Sequence, residues 1–203
     1  MKKTILLLFC IFLANSIPLL AEQKSFSITV VGTDKNDSRF FAAEEAVTYW
    51  NQELDKLGIN IHFKPITHLI EPNIDHVLLQ IRGAKDLQEM RRCLIKFEHI
   101  SGDIIIVLSD SDIISFALTR LRCRKGLIGV RPADIVPLSL PNVSRNVVAH
   151  ELGHVLGLRH NSDPTMLMCG RPAACHPSAF TSDKDFFFPL TESDKKILRE
   201  LQW

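Results

Sequence analysis

One stretch of the sequence decides the fold: Val147-Val148-Ala149-His150-Glu151-Leu152-Gly153-His154-Val155-Leu156-Gly157-Leu158-Arg159-His160, continuing to Met168-Cys169-Gly170. His150 and His154 are four residues apart in a helix-forming run, so both imidazoles project from one face of a helix and can share a metal ion. Glu151 follows directly, which places its carboxylate beside the metal without making it a third helical ligand. The stretch therefore predicts a metal site with an adjacent base.

A third histidine completes the predicted site. Gly157 can end the helix because glycine adopts the left-handed conformation that other residues resist. A sharp turn there would return His160 to the same point, giving three neutral nitrogen ligands for a tetrahedral zinc whose fourth position holds water. The alternative is a set of unrelated polar residues on an amphipathic helix. Five fixed residues at this spacing should coincide by chance on the order of once in 10⁵ chains, so the alternative is set aside.

The pattern H-E-x-x-H-x-x-G-x-x-H over residues 150–160, followed by Met168, resembles the metzincin zinc endopeptidases and, within them, the matrixin (matrix metalloprotease-like) branch. The resemblance implies that Met168, rather than Met166, forms a packed hydrophobic floor under the metal and is not a ligand. It also implies an α+β, metzincin/zincin-like catalytic domain. This domain would have a twisted mixed sheet, two long helices above the zinc cleft and a small irregular lower subdomain ending in a helix.

The same resemblance implies peptide hydrolysis at one catalytic Zn²⁺, with protein or peptide chains as substrates. His150, His154 and His160 would be the ligands, and Glu151 would take a proton from the zinc-bound water and pass it to the leaving amine. The alternative is a zinc-stabilised, catalytically silent binding module on the same fold. Glu151 argues against it, because a binding module has no use for a base at that position.

Three features depart from the matrixin pattern. Asn161 stands after the third histidine, where matrixins usually have serine. Residues 169–172, Cys-Gly-Arg-Pro, replace the usual Pro-x-Tyr wall of the specificity pocket, and Arg171 is predicted to favour acidic or polar side chains. No cysteine-switch propeptide, Pro-Arg-Cys-Gly, precedes the domain. Any latency would then come from a partner inhibitor or from export itself.

A further metal has little support in the sequence. Asp110-Ser111-Asp112 follows a predicted buried strand, in a loop where matrix metalloproteases often hold calcium or a second zinc. Their full ligand pattern is missing, so calcium stays unsupported and this loop is interpreted as a solvated turn.

Residues 1–21 have the charged start and apolar middle of a secretory signal peptide. Cleavage after Ser16 and cleavage after Ala21 both satisfy the small-residue preference. The apolar run is too short and too interrupted to favour a permanent membrane span. We therefore expect a catalytic domain of residues 22–203 that is secreted or periplasmic and has no membrane attachment.

Charge and size limit the remaining possibilities. The 203 residues hold 24 Lys and Arg against 23 Asp and Glu, and 46% are hydrophobic. Loss of residues 1–21 removes two lysines and no acid, which leaves a formal net charge of −1. No nucleic-acid partner is implied, and about 180 residues can bury one proper core. We expect one compact domain that acts as a monomer.

Four cysteines remain after Cys10 leaves with the signal peptide, an even number that predicts disulfides in an exported chain. The short spacing of Cys169 and Cys175 favours a local loop and leaves Cys93 to pair with Cys123, although four cysteines allow three pairings. A second zinc held by these thiols would lack a C-x-x-C pair.

Hydrophobic patterns predict the remaining elements. Strands are expected at residues 25–31, 59–63, 76–81 and 102–108, and helices at residues 40–57, 84–98 and 190–201. Residues 126–132 are predicted as an edge strand, which in the family pairs with the substrate backbone; an ordinary sheet edge is the alternative. Asn142 or Ser144 is expected to cap the catalytic helix, and Thr191 is expected to cap the last helix. Gly58 should end the first helix, whose aromatic residues, Trp50 among them, are interpreted as packing, and Phe186-Phe187-Phe188 are expected to pack under the lower subdomain.

Overall fold

The computed structural model describes residues 23–121, 124–132, 134, 139–171, 173–180 and 184–201. Seven strands are present: β1 (Lys24–Phe26), β2 (Ile28–Gly32), β3 (Ile61–Phe63), β4 (Thr67–Ile70), β5 (Ile104–Leu108), β6 (Phe116–Leu121) and β7 (Arg124–Val130). The α-helices are α1 (Arg39–Lys56), α2 (Ile74–Gly83), α3 (Leu87–Ile95), α4 (Pro141–Val155) and α5 (Glu192–Glu200), with a 3₁₀ turn at Pro177–Phe180. The predicted signal peptide lies outside these residues.

The main sheet has the strand order β4-β2-β5-β7-β6. All its neighbours are parallel except β6, which runs antiparallel to β7. The sheet is therefore mixed, as expected, while β1 and β3 form a separate parallel pair. The prediction that residues 126–132 form an edge strand is wrong, because β6 covers that side of β7 and is itself the edge.

Both faces of the sheet are covered. Alternate residues of the buried strand β5 point to opposite faces: Ile104 and Ile106 join one apolar cluster, and Ile105 and Val107 join the other. The first cluster includes the buried sides of α1 and α4, and the second includes those of α2 and α3. The two long helices expected on one face are thus present, and a second helical pair covers the other.

Two local predictions are wrong for reasons that lie in tertiary contacts. Residues 76–81, predicted as a strand, are part of α2, whose buried side chains Ile74, Leu78 and Ile81 follow helical spacing. Helix α4 begins at Pro141, with Leu140 as its N-cap. Asn142 therefore lies inside the helix, and its side-chain amide donates to the Lys184 carbonyl at 2.9 Å instead of capping.

The chain after α4 forms an irregular lower part that ends in α5. Thr191 caps α5 as predicted, and it forms a reciprocal capping box with Asp194. The Phe186–Phe188 segment is held against α4 by Asn146, whose amide accepts from Phe188 N at 2.8 Å and donates to Phe186 O at 3.0 Å. The predicted packing of these aromatic residues is confirmed.

The cysteines follow the predicted pattern in part. Cys169 and Cys175 form a disulfide, with Cα atoms 5.6 Å apart. Cys93 is buried with a free thiol, and its predicted partner Cys123 lies outside the described residues. Within the part of the chain that the structure describes, no helix has the length and apolar character needed to cross a bilayer.

Candidate metal centre

Helix α4 and the turn that follows it bring the three predicted histidines together. The helix carries His150 and His154 and ends where Gly157 adopts a left-handed φ of +91°. Leu158 N then bonds back to Gly153 O at 2.9 Å, so the chain reverses below the helix. This reversal brings Nε2 of His160 to within 3.0 Å of His154 Nε2 and 3.1 Å of His150 Nε2.

The two helical histidines are oriented by backbone carbonyls. His150 Nδ1 lies 2.8 Å from the Leu167 carbonyl, and His154 Nδ1 lies 2.9 Å from the Leu158 carbonyl. A carbonyl only accepts, so both rings carry their proton on Nδ1 and turn the Nε2 lone pair towards the centre. Burial lowers the pKa of His150 to about 4 and also lowers that of His154, which favours the neutral imidazoles that a metal requires.

Glu151 follows His150 directly in α4 and is 6% exposed. Burial raises the pKa of its carboxyl to about 8, because a desolvated carboxylate is costly without a nearby positive charge. No hydrogen bond or ion pair to its carboxyl group is present among the described residues. A cation at the three histidines would favour its ionised form.

Met168 forms a buried floor beneath α4. A Cβ added at Gly153 would lie 2.5 Å from Met168 Sδ and 3.1 Å from a ring carbon of Trp50, so only glycine lets the helix approach the methionine this closely. The turn that carries Met168 is fixed by a bond from Leu167 N to Pro189 O at 2.8 Å. The half-buried Met166 lies outside the core that Met168 joins.

Sequence reasoning missed three residues that surround the centre. Trp50, interpreted only as packing, donates Nε1–H to Ala149 O at 2.8 Å and so also fixes α4. His176 Nε2 bonds to the Met166 carbonyl at 2.7 Å, and its ring stacks on Phe188. Asp194, buried in the capping box of α5, accepts a long bond of 3.4 Å from the Asn161 amide. No sequence signal marks these contacts, because they join residues from 10 to 99 positions apart that share no periodic pattern.

The donor set fits zinc. The three imidazole nitrogens lie within 4.8 Å of one another. In a tetrahedral zinc site with Zn–N bonds of about 2.0–2.1 Å, ligand nitrogens are about 3.3 Å apart. The Nε2 separations of His160 from His154 and His150, 3.0 and 3.1 Å, need to open by only a few tenths of an ångström, and the ligand atoms of His150 and His154 lie within 4.8 Å of each other. Three neutral imidazoles leave a fourth position for a water molecule or substrate.

Comparisons with known proteins agree with this site and fold. Residues 136–197 match the family model described as Matrixin, a match that spans the histidine motif and the Met168 turn and ends within α5. The crystal structure of archaemetzincin from Methanopyrus kandleri is 16% identical, with a TM-score of 0.50, and the likeness covers 90% of this chain and 97% of that one. No curated protein matches the sequence.

A weaker likeness is to metalloproteinase-II from Bacteroides fragilis. It is 17% identical with a TM-score of 0.43, and the likeness covers 74% of this chain and 48% of that one. The archaemetzincin likeness shows a shared fold, whereas the likeness to metalloproteinase-II is too weak to carry an argument. The matrixin match across the histidine motif and the archaemetzincin-like fold together support a metzincin-type zinc metalloprotease.

Proposed function

We propose that this protein is an exported, matrixin-like endopeptidase that uses one zinc ion. His150, His154 and His160 hold the metal, and Glu151 is the general base. The observation that carries the proposal is the convergence of three Nε2 atoms at the helix that also carries Glu151, a buried residue whose carboxyl group has no hydrogen-bond or ion-pair partner among the described residues. A carboxylate so placed is costly for folding and useful for proton transfer.

The side chains divide the chemistry between them. A zinc ion, when bound, supplies Lewis-acid chemistry that lowers the pKa of water and polarises the scissile carbonyl. Glu151 accepts the proton that the attacking water loses and later donates it to the nitrogen of the leaving amine. Its burial excludes bulk water, which strengthens its electrostatic interactions. The carbonyls of Leu158 and Leu167 keep His154 and His150 in the tautomer that binds metal.

The substrate would bind in an extended conformation along β6. Among the described residues this strand pairs with β7 on one side and with no strand on the other, and α4 packs against it, so this edge of the sheet lies close to the catalytic helix. An exposed strand edge offers unpaired backbone N–H and C=O groups, to which an extended peptide can add as a further strand. This role, first assigned to residues 126–132, belongs in the proposal to Phe116–Leu121.

Export is part of the proposal. Residues 1–21 would act as a signal peptide, and the Cys169–Cys175 disulfide is typical of proteins that fold in an oxidising compartment. We propose a secreted or periplasmic monomer that acts on proteins or peptides and has no nucleic-acid partner. The matrixin branch is supported by the match to residues 136–197.

The first test replaces Glu151 with glutamine, which has the same shape and no basic carboxylate. We expect the wild type to cleave a quenched peptide library with zinc bound. The variant should keep its zinc and lose about 10²–10⁴-fold in kcat/KM, the range that a general base contributes. A variant that cleaves as fast as the wild type would show that Glu151 is not the base.

The second candidate function is a catalytically silent zinc module on the same fold. The same experiment distinguishes it from the enzyme. It predicts a wild-type chain that binds zinc at the three histidines and cleaves nothing in the library. The buried, unpaired Glu151 favours the enzyme, because a silent module gains nothing from an unpaired buried carboxyl group.

A further inference from the structure

The loop from Cys169 to Cys175 lies directly beside the metal centre and is closed by a disulfide. Cys169 forms a parallel bridge with Asn161, and its backbone N–H donates to the Met166 carbonyl at 3.1 Å. His176 follows the loop, and its imidazole bonds to the same Met166 carbonyl at 2.7 Å. Both ends of the loop are thus fixed to one point below the histidines.

The His160 ring lies against this loop. A Cβ added at Gly170 would lie 2.3 Å from Cγ and 2.5 Å from Nδ1 of His160, so the imidazole packs directly on the glycine backbone. His160 is exposed, and its Nδ1 has no hydrogen-bond partner in the residues that the structure describes. His150 and His154 instead have their Nδ1 atoms fixed by carbonyls. Apart from the two neighbouring imidazoles, the third imidazole is restrained by its contact with Gly170, whose backbone N–H donates to the Asn161 carbonyl at 2.9 Å.

We propose that the Cys169–Cys175 disulfide positions His160 for metal binding, so that both cysteines are positioning residues of the metal centre. The cross-link limits the conformations of residues 170–174 and keeps Gly170 against the ring. Without it the loop would sample conformations that leave His160 unsupported, and metal binding would have to order loop and ring together. The proposal requires metal binding at the three histidines and does not depend on peptidase activity.

The expected effect is a loss of metal affinity. Groups that orient metal ligands typically change affinity by roughly 10- to 100-fold. We would measure the zinc affinity of the wild type and of the double variant Cys169→Ala/Cys175→Ser by competition with a chromophoric chelator. Variants are preferred to reducing agents, because thiol reductants bind zinc themselves. The disulfide-free chain should bind zinc about tenfold or more weakly, and the control Cys93→Ala should bind it as the wild type does.

A double-mutant cycle separates positioning of His160 from general support of the fold. In a His160→Ala background, where the third ligand is absent, removal of the disulfide should change zinc affinity by less than about twofold. The Co²⁺ absorption spectrum of the disulfide-free chain should also approach that of His160→Ala.

Three outcomes would overturn the proposal. The first is wild-type zinc affinity in the disulfide-free chain. The second is an equal loss of affinity in both backgrounds. The third is loss of the native near-UV circular dichroism spectrum with zinc present, because the disulfide would then support the whole fold and not His160 in particular.

Discussion

The helix-borne and loop-borne halves of the metal centre are built differently. His150 and His154 lie on α4, a helix that the core holds through contacts such as Trp50 Nε1 to Ala149 O, and each has its own carbonyl partner. His160 lies on an exposed segment and is placed by packing on Gly170. Two ligands are thus preorganised by secondary structure, whereas the third depends on a short cross-linked loop.

The largest expected effect compares the two halves directly. We expect His150→Ala to weaken zinc binding by more than about a hundredfold, beyond the range seen when only an orienting partner is lost. His160→Ala should weaken zinc binding less, because part of the free energy that the wild-type His160 gains on binding zinc is lost in ordering its exposed ring. Chelator competition measures both. An equal or larger loss for His160→Ala would contradict the difference between the halves.

A pH titration of the metal-free protein tests the effect of burying His150, one of the two helix-borne histidines. The pKa of His150 is about 4 in the fold and about 6.5 in the unfolded chain, so between these values the unfolded state binds more protons. The contribution of this residue to stability should be complete above about pH 6.5 and should fall as the pH drops towards 4, by up to roughly 3 kcal/mol. Glu151, whose pKa is raised to about 8 in the fold, contributes with the opposite sign, so the effect of His150 is read as a difference between the wild type and a variant.

Urea unfolding of the metal-free chain at pH 7 and pH 4.5 measures this dependence. The difference in free energy of unfolding between the wild type and His150→Ala should become smaller at pH 4.5 than at pH 7, and the exposed-site variant His99→Ala serves as the control. If His150→Ala left the pH dependence unchanged, burial of that imidazole would not be its source.

The smallest expected effect concerns the loop-borne half. Gly170→Ala would place a methyl group 2.3 Å from His160 Cγ, so the ring must move away from the metal position. We expect zinc affinity to fall by about tenfold, within the range for altered ligand orientation. Gly83→Ala is the control, since a Cβ there meets nothing within 4 Å. Unchanged zinc affinity in Gly170→Ala would show that the ring is not held by this contact.

Predictions from sequence succeeded where the signal was local. The α1 stripe ending at Gly58, the buried strand β5, the Thr191 cap and the Cys169–Cys175 pair all depend on residues close in the chain. The strand predicted at residues 76–81 is wrong because a short, mostly apolar segment such as His-Val-Leu-Leu-Gln-Ile fits a strand and a helix equally well, and only packing on the sheet decides between them.

The order of the strands in the sheet could not be predicted from the sequence either. Glycine and proline in residues 126–132 predicted an edge, but β6 forms a hairpin with β7 and takes the outer position. Similarly, asparagine is a common helix cap, but the side-chain amide of Asn142 donates a hydrogen bond to the Lys184 carbonyl and accepts one from the Phe186 N–H. Both failures come from partners that local patterns do not identify.

The sequence by itself determined the chemistry of the site, because helical periodicity and one glycine suffice to bring His150, His154 and His160 together with Glu151 beside them. Only the tertiary structure decided how firmly each ligand is held. The carbonyls of Leu158 and Leu167, the Met168 floor and the contact of Gly170 with His160 arise from chain segments that meet only after folding. Helical periodicity determines the face of the helix from which a side chain projects. The rotation of its ring and its remaining freedom depend on neighbouring side chains and carbonyls that can be far away in the sequence.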